Sequence, residues 1–308
     1  MKHPPRQFLA YCKAVATALI LGSVVYVLDT AVIAGSAQHI KLAWMVAALS
    51  LVVPLVFVQW AKWHQLLRSR ISDCSLGASL HSLFVGFALG MVSPGRLGEV
   101  GRGVLMERAR FEVSVLAAVD RTVSFAVTLL LGSLSAVVVF PQVGAVAVAI
   151  WGAAVAAIWY LRSTVVELLN RSGWGRRSVE IVRCVPRGLW VRVASLSLLF
   201  NLIFCAQFIL LLRSWGPVEP NAVWATPLIF GLKSLLPIAL MDLGVREGAA
   251  VLVFSMLELE PVHAFGAALA LFVMNVLFPG IVGGVLIMHR FLPAYRIAGV
   301  GRRGIPSV

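Results

Sequence analysis

Two strings in this chain set arginines and carboxylates among glycines. The first is Ser93-Pro94-Gly95-Arg96-Leu97-Gly98-Glu99-Val100-Gly101-Arg102, and the second is Asp242-Leu243-Gly244-Val245-Arg246-Glu247-Gly248. Arg96, Glu99 and Arg102 stand at i, i+3 and i+6, so a helical turn puts all three on one face. Arg246 and Glu247 are adjacent, with Asp242 and Lys233 upstream. Such groups can be ordinary ion pairs, which stabilise little. They can also hold a phosphate or the cation beside it, because the planar arginine fork donates two parallel hydrogen bonds. Pro94, Gly95 and Gly98 in the first string, and Pro237, Gly244 and Gly248 around the second, are the residues expected to turn the backbone.

The elements that must position these charges are apolar. Of 308 residues, 60% are apolar and 13% charged, and the mean hydropathy is +0.94. A soluble domain carries about 25% charged residues to dress its outside for water, so most of this outside faces lipid. Six runs, at about 14–33, 42–60, 113–139, 143–161, 190–212 and 262–288, reach the roughly 20 residues that cross a ~30 Å core. Two more, at about 79–93 and 222–241, are apolar but end in proline, glycine and charge. Non-helical backbone at membrane depth survives only where protein or trapped water satisfies it, so both are expected to be re-entrant hairpins or broken helices. The fold class is all-α integral membrane, and the chain forms a single polytopic domain.

Charges inside hydrocarbon are costly and rarely idle. Asp120 and Arg121 fall in the third span, about eight residues and so roughly 10–12 Å along it. Arg121 can snorkel to the headgroups. Asp120 is too short and must pair, with Arg121, Arg96 or Arg102, as a structural clamp or as a lining residue of a polar path. Asn201, Gln207 and Asn275 are expected to tie helices together, and Asp29 to sit at an interface.

The formal charge of +13 does not indicate nucleic acid, because the basic residues lie in short clusters between apolar runs rather than in one patch. With the N-terminus in the cytoplasm, 21 lysines and arginines fall inside and only Lys41 and Arg213 outside, leaving Arg121, Lys233 and Arg246 against the membrane. That asymmetry predicts six spans with both termini cytoplasmic, and the first run is read as an uncleaved helix rather than a signal peptide. The 162–192 loop mixes arginines with Val165, Leu168, Val179 and Ile181 around Gly173-Trp174-Gly175. It reads either as an amphipathic segment on the inner leaflet or as a plain basic connector. Four cysteines without metal-type spacing read as reduced structural residues.

The two strings echo each other. Aligning Glu99 on Glu247 also brings Val104-Leu105 onto Val251-Leu252, and each string follows an interrupted apolar segment and precedes a long span. Three spans lie between them, so they face opposite sides. This predicts an inverted-topology repeat, about 79–139 and 222–288, of the kind transporters use around a midplane site.

Ser93-Pro94-Gly95-Arg96-Leu97-Gly98-Glu99, then Arg102, then Asp120-Arg121 resembles the transmembrane region of the lysylphosphatidylglycerol synthase/flippase family, and Leu243-Gly244-Val245-Arg246-Glu247-Gly248 resembles its later signature. The resemblance covers roughly 40–290. It implies a stand-alone flippase-like protein of the bacterial inner membrane that translocates a phospholipid or other lipid-linked headgroup. Arg96, Glu99, Arg102, Asp120, Arg121, Lys233, Asp242, Arg246 and Glu247 are the expected substrate-binding residues. Expected partners are membrane lipids: an anionic or aminoacylated phospholipid, or an isoprenoid or hopanoid-type lipid. No cofactor, metal or catalytic residue is expected. Asp120-Arg121 stands where the family commonly has Glu-Arg, and Met241-Asp242 where it commonly has Gly-Gly. The soluble aminoacyl-transferase domain of two-part members has no counterpart in these 308 residues. No Gly-x-x-x-x-Gly-Lys-Ser/Thr loop is present, so transport would run downhill or be coupled to an ion or the membrane potential. The competing readings are an integral-membrane transferase on a lipid-linked carrier, using outer carboxylates such as Glu219, Asp242, Glu247, Glu258 and Glu260, and a non-catalytic envelope assembly partner.

Overall fold

The computed structural model describes Gly22 and residues 40–93, 96–104, 109–236 and 242–300, with side chains left out from 290 onward. Apart from Gly22, the expected first span at 14–33 lies outside the described residues, as do Cys12, Pro94, Gly95 and Pro237, and Asp29 within the span. Among the described residues every regular element is helical, as a chain without water at its backbone requires.

Helices α1 (Leu42–Ser50) and α2 (Val52–Arg68) form one span of 27 residues. Their break falls just before Pro54, whose missing N–H and bulky ring interrupt the preceding turn. Helix α3 (Leu76–Met91) opens on Ser75, whose hydroxyl accepts from the Ala78 N–H at 3.1 Å. Its 16 residues reach only about 24 Å, short of a full crossing. A 3₁₀ segment (Leu97–Gly103) then leads to the long span α4 (Arg110–Val139) and, through a tight corner with Pro141 in the first helical turn, to α5 (Pro141–Asn170). Helix α6 (Gly173–Arg183) and the span α7 (Arg187–Trp215) follow. The second short helix, α8 (Pro220–Leu235), precedes α9 (Val245–Met256). The last span is α10 (Pro261–Phe272), a π-turn (Val273–Leu277) and α11 (Phe278–Val300). Pro279 has no N–H to return to the preceding turn, which accounts for the π-turn.

Five described helical stretches are long and apolar enough to cross a membrane: Leu42–Arg68, Arg110–Val139, Pro141–Asn170, Arg187–Trp215 and Pro261–His289. Each coincides with an expected span, but several run further. The first continues from 60 to Arg68 and carries Lys62 into the helix, where it is buried. Lys62, one of the 21 cations counted on the cytoplasmic side because it follows the expected end of the span at about 60, therefore lies within the helix and not in a loop. The fourth expected span continues from 161 to Asn170, so most of the 162–192 loop is helical. Helix α6 sends Ile181 into the protein, buried with Trp63, Leu66, Leu67, Val113 and Val193, while Trp174 at its start stays exposed.

A second cluster, built on Phe208, Leu211, Ile229, Phe230, Phe254 and Leu271, joins α7, α8, α9 and α10. The outside is the apolar belt of a lipid-facing protein. On α5, Val143, Val146, Ile150, Ile158 and Trp159 are all exposed. Without water to drive helices together, close backbone approach must do it. The short helices supply that approach crosswise. Helix α8 lies along α4, with Gly231 against Gly132, where a Cβ on Gly132 would sit 2.9 Å from the Gly231 Cα. Helix α3 lies along α11, with Met91 against Gly280 and Ala88 against Gly283.

Candidate functional site

The first glycine-rich string folds where α3 stops. Arg96 takes a left-handed backbone (φ 57°), a conformation that costs an ordinary residue roughly 1–2 kcal/mol. The Gly98 N–H donates to the Ser93 hydroxyl at 2.6 Å, and the Ser82 hydroxyl donates to the Arg102 carbonyl at 3.0 Å. In a 3₁₀ turn residues i and i+3 eclipse, so Arg96, Glu99 and Arg102 share the expected face. Glu99 receives Arg96 at 2.6 Å, Arg102 at 3.2 Å and, from α4, Arg121 at 3.3 Å. Asp120 receives Arg102 at 2.8 Å, one of the expected partners, and Lys62 at 2.9 Å.

Lys62 was not among the expected site residues. Its ammonium also donates to the Ser124 hydroxyl at 2.7 Å and the Ser197 hydroxyl at 3.2 Å, so one cation joins α2, α4 and α7. The signal was present. Leu55, Val58, Lys62 and Leu66 continue one helical face past residue 60, and a lysine on a core-facing stripe needs a buried carboxylate. The Arg102 guanidinium lies 4.7 Å from the Trp63 ring centroid, within cation–π range. Glu99 Oε1 and Asp120 Oδ1 each lie against one cation, Arg96 and Lys62 respectively.

The second string is built alike. Asp242 also takes a left-handed backbone (φ 60°), followed by Gly244 at φ 86°, and its carboxylate holds Lys233 of α8 at 2.6 Å. Glu247 Oε2 accepts the Gly244 N–H at 2.7 Å and so caps the helix start. The Gly248 N–H reaches the Gly244 carbonyl at 2.7 Å. Arg246 and Glu247 are 1% and 0% exposed. The Arg246 Nε and Nη1 and the Glu247 Oε1 are buried without a hydrogen-bond partner.

The two strings meet. Arg96 lies within electrostatic reach of Asp242 and Arg246, and Lys233 within reach of both Arg96 and Arg246. Eight of the nine expected site residues therefore join one cluster, with Lys62 as a ninth member; Glu247 follows Arg246 in the chain, and its carboxylate is spent on the Gly244 N–H. Six members are basic (Lys62, Arg96, Arg102, Arg121, Lys233, Arg246) and three acidic (Glu99, Asp120, Asp242). The amides behave as helix ties. Thr128 donates to Asn201 at 2.9 Å, Asn275 donates to Gln207 at 2.7 Å, and Gln207 donates to the Ala48 carbonyl at 2.9 Å.

No curated protein and no solved structure matches the chain. One family model does, and it spans residues 13–283, taking in both strings, the buried cluster and every crossing helix between them. A match over that much of the chain makes this protein a member of the lysylphosphatidylglycerol synthase TM region family, a family of membrane proteins concerned with lipids.

Proposed function

We propose that the protein translocates a phosphate-bearing lipid headgroup across the bacterial inner membrane, without acting on it chemically. The observation that carries this reading is Arg246, whose guanidinium is buried with two nitrogens unpartnered. A buried donor left without an acceptor costs about 1–3 kcal/mol. A planar fork with open donors is built to take phosphate oxygens.

The cluster divides by role. Lys62, Asp120 and Arg102 are buried and mutually paired and act as a clamp that holds α2, α4 and the 3₁₀ segment. Arg96, Arg121, Lys233 and Arg246 take the headgroup, with Glu99, Asp242 and Glu247 holding them in place between substrates. The tails stay in lipid beside the short helices.

Several features support an inverted repeat around this site. With Glu99 aligned on Glu247, left-handed Arg96 falls on Gly244, which also has a positive φ (86°), and left-handed Ala109 falls within one position of left-handed Glu258, each ahead of a long helix. The short helix of each half packs on the long helix of the other, α3 on α11 and α8 on α4. Two interlocked halves meeting at one charge cluster suit rocking about a midplane site.

The test is leaflet-resolved headgroup labelling with Arg96→Ala, Arg246→Ala and the corresponding lysine variants. Arg96→Ala and Arg246→Ala are expected to stay membrane-inserted and to stop lipid redistribution. The lysine variants keep the charge but lose the fork, and are expected to retain only part of the activity. Normal redistribution with both arginines replaced by alanine would overturn the assignment.

A further inference from the structure

We infer that the headgroup this site accepts carries two negative charges in excess of positive ones, a phosphate dianion rather than an aminoacylated or zwitterionic group. The inference rests on the cluster being a lipid site, as proposed above. It adds the sign and size of the charge.

Two observations carry it. The first is the balance: among the described residues five basic side chains (Lys62, Arg96, Arg102, Arg121, Lys233) share three carboxylates (Glu99, Asp120, Asp242), and the adjacent Arg246 and Glu247 add one charge of each sign. Near hydrocarbon a net charge is not screened by water, so the cluster is completed by a partner of opposite charge and similar size. The second is how the charges are layered. Glu99, Asp120, Asp242 and Glu247 are all 5% exposed or less, whereas the side chains of Arg96, Lys233 and Arg121 are 16%, 18% and 35% exposed. An approaching headgroup therefore meets cations first, with every carboxylate behind them. Arg246, buried beneath with two open donors, is the innermost partner for phosphate oxygens. A cationic headgroup would meet like charge at the entrance, which is how a site rejects a wrong ligand.

Among glycerophospholipids, two kinds offer this chemistry: a phosphomonoester, and a lipid with two phosphodiesters. They differ in titration, since a monoester loses its second proton near pH 6 and diesters do not titrate there.

The experiment measures lipid binding by the purified full chain in neutral phosphatidylcholine nanodiscs. The probes are phosphatidic acid, cardiolipin, phosphatidylglycerol and lysyl-phosphatidylglycerol at about pH 8 and about pH 5, on either side of the monoester ionisation. A dianion is expected to bind about tenfold more tightly than phosphatidylglycerol, the effect of one further charge-assisted contact. Lysyl-phosphatidylglycerol is expected to bind no better than the neutral host lipid. If the monoester is the preferred form, the advantage of phosphatidic acid disappears at the lower pH. If paired diesters are preferred, the advantage of cardiolipin persists. Arg96→Gln and Lys233→Gln remove cations from the accessible edge, and each is expected to cut the preference for a dianion over phosphatidylglycerol about tenfold.

Equal or tighter binding of the aminoacylated lipid, or an undiminished dianion preference in both folded variants, overturns the inference. Binding of a dianion without movement in vesicles would defeat the translocation reading and leave this one standing. Movement of lipids without charge preference would do the reverse.

Discussion

Replacing Asp120 tests whether the innermost charges form a clamp or a substrate contact. Asp120 holds Lys62 at 2.9 Å and Arg102 at 2.8 Å, and all three are at most 1% exposed. Asp120→Ala leaves Lys62 with the hydroxyls of Ser124 and Ser197 and no carboxylate among the described residues, and Arg102 with Glu99 and the Trp63 ring. Stranding a buried charge in this way costs about 3–5 kcal/mol, a large share of the roughly 5–15 kcal/mol that holds a typical fold. Lys62→Met is milder, because Asp120 keeps Arg102. The loss is one charge-assisted contact, about 1.5–3 kcal/mol. The double variant Lys62→Met with Asp120→Ala removes both charges, and its cost should fall short of the sum of the singles by about 1–3 kcal/mol. The assay is membrane abundance together with the melting temperature of the purified protein in detergent. The expected order of stability is parent, Lys62→Met, then Asp120→Ala, with the double variant above Asp120→Ala. An Asp120→Ala protein that melts with the parent yet fails to move lipid would refute the clamp and place Asp120 against the substrate.

The remaining predictions address packing, topology and chemistry. Gly231→Val puts a branched side chain where Gly132 and Gly231 approach backbone to backbone; the overpacking should cost about 1–3 kcal/mol and show as lower abundance with α8 displaced. With both termini inside, a cysteine at Asn221 should react with a membrane-impermeant thiol reagent in intact cells and one at Glu180 should not, both positions being exposed; labelling of Glu180→Cys from outside would sink that topology. A translocase changes only the leaflet distribution of lipids, so a lipid species missing altogether from a deletion strain would favour the transferase reading.

The spans, the two interrupted segments and the positions of both charged strings were legible in the sequence, because the cost of placing a residue in hydrocarbon adds up along the chain without reference to distant neighbours. The shared face of Arg96, Glu99 and Arg102 was legible for the same reason: i, i+3 spacing is local. Which charge neutralises which was not. Lys62 and Asp120 are 58 positions apart, and local hydropathy ended the helix at about 60, before the residue that the tertiary structure buries. The same holds for the approach of Arg96 to Asp242 and Arg246, since two strings expected to open on opposite sides reveal a common site only when their helices interlock. Arg246 shows the limit most sharply. Its charge was plain from the sequence, but that two of its donors are buried without partners depends on what every other helix leaves around it, because burial and pairing are pairwise properties of the packed chain.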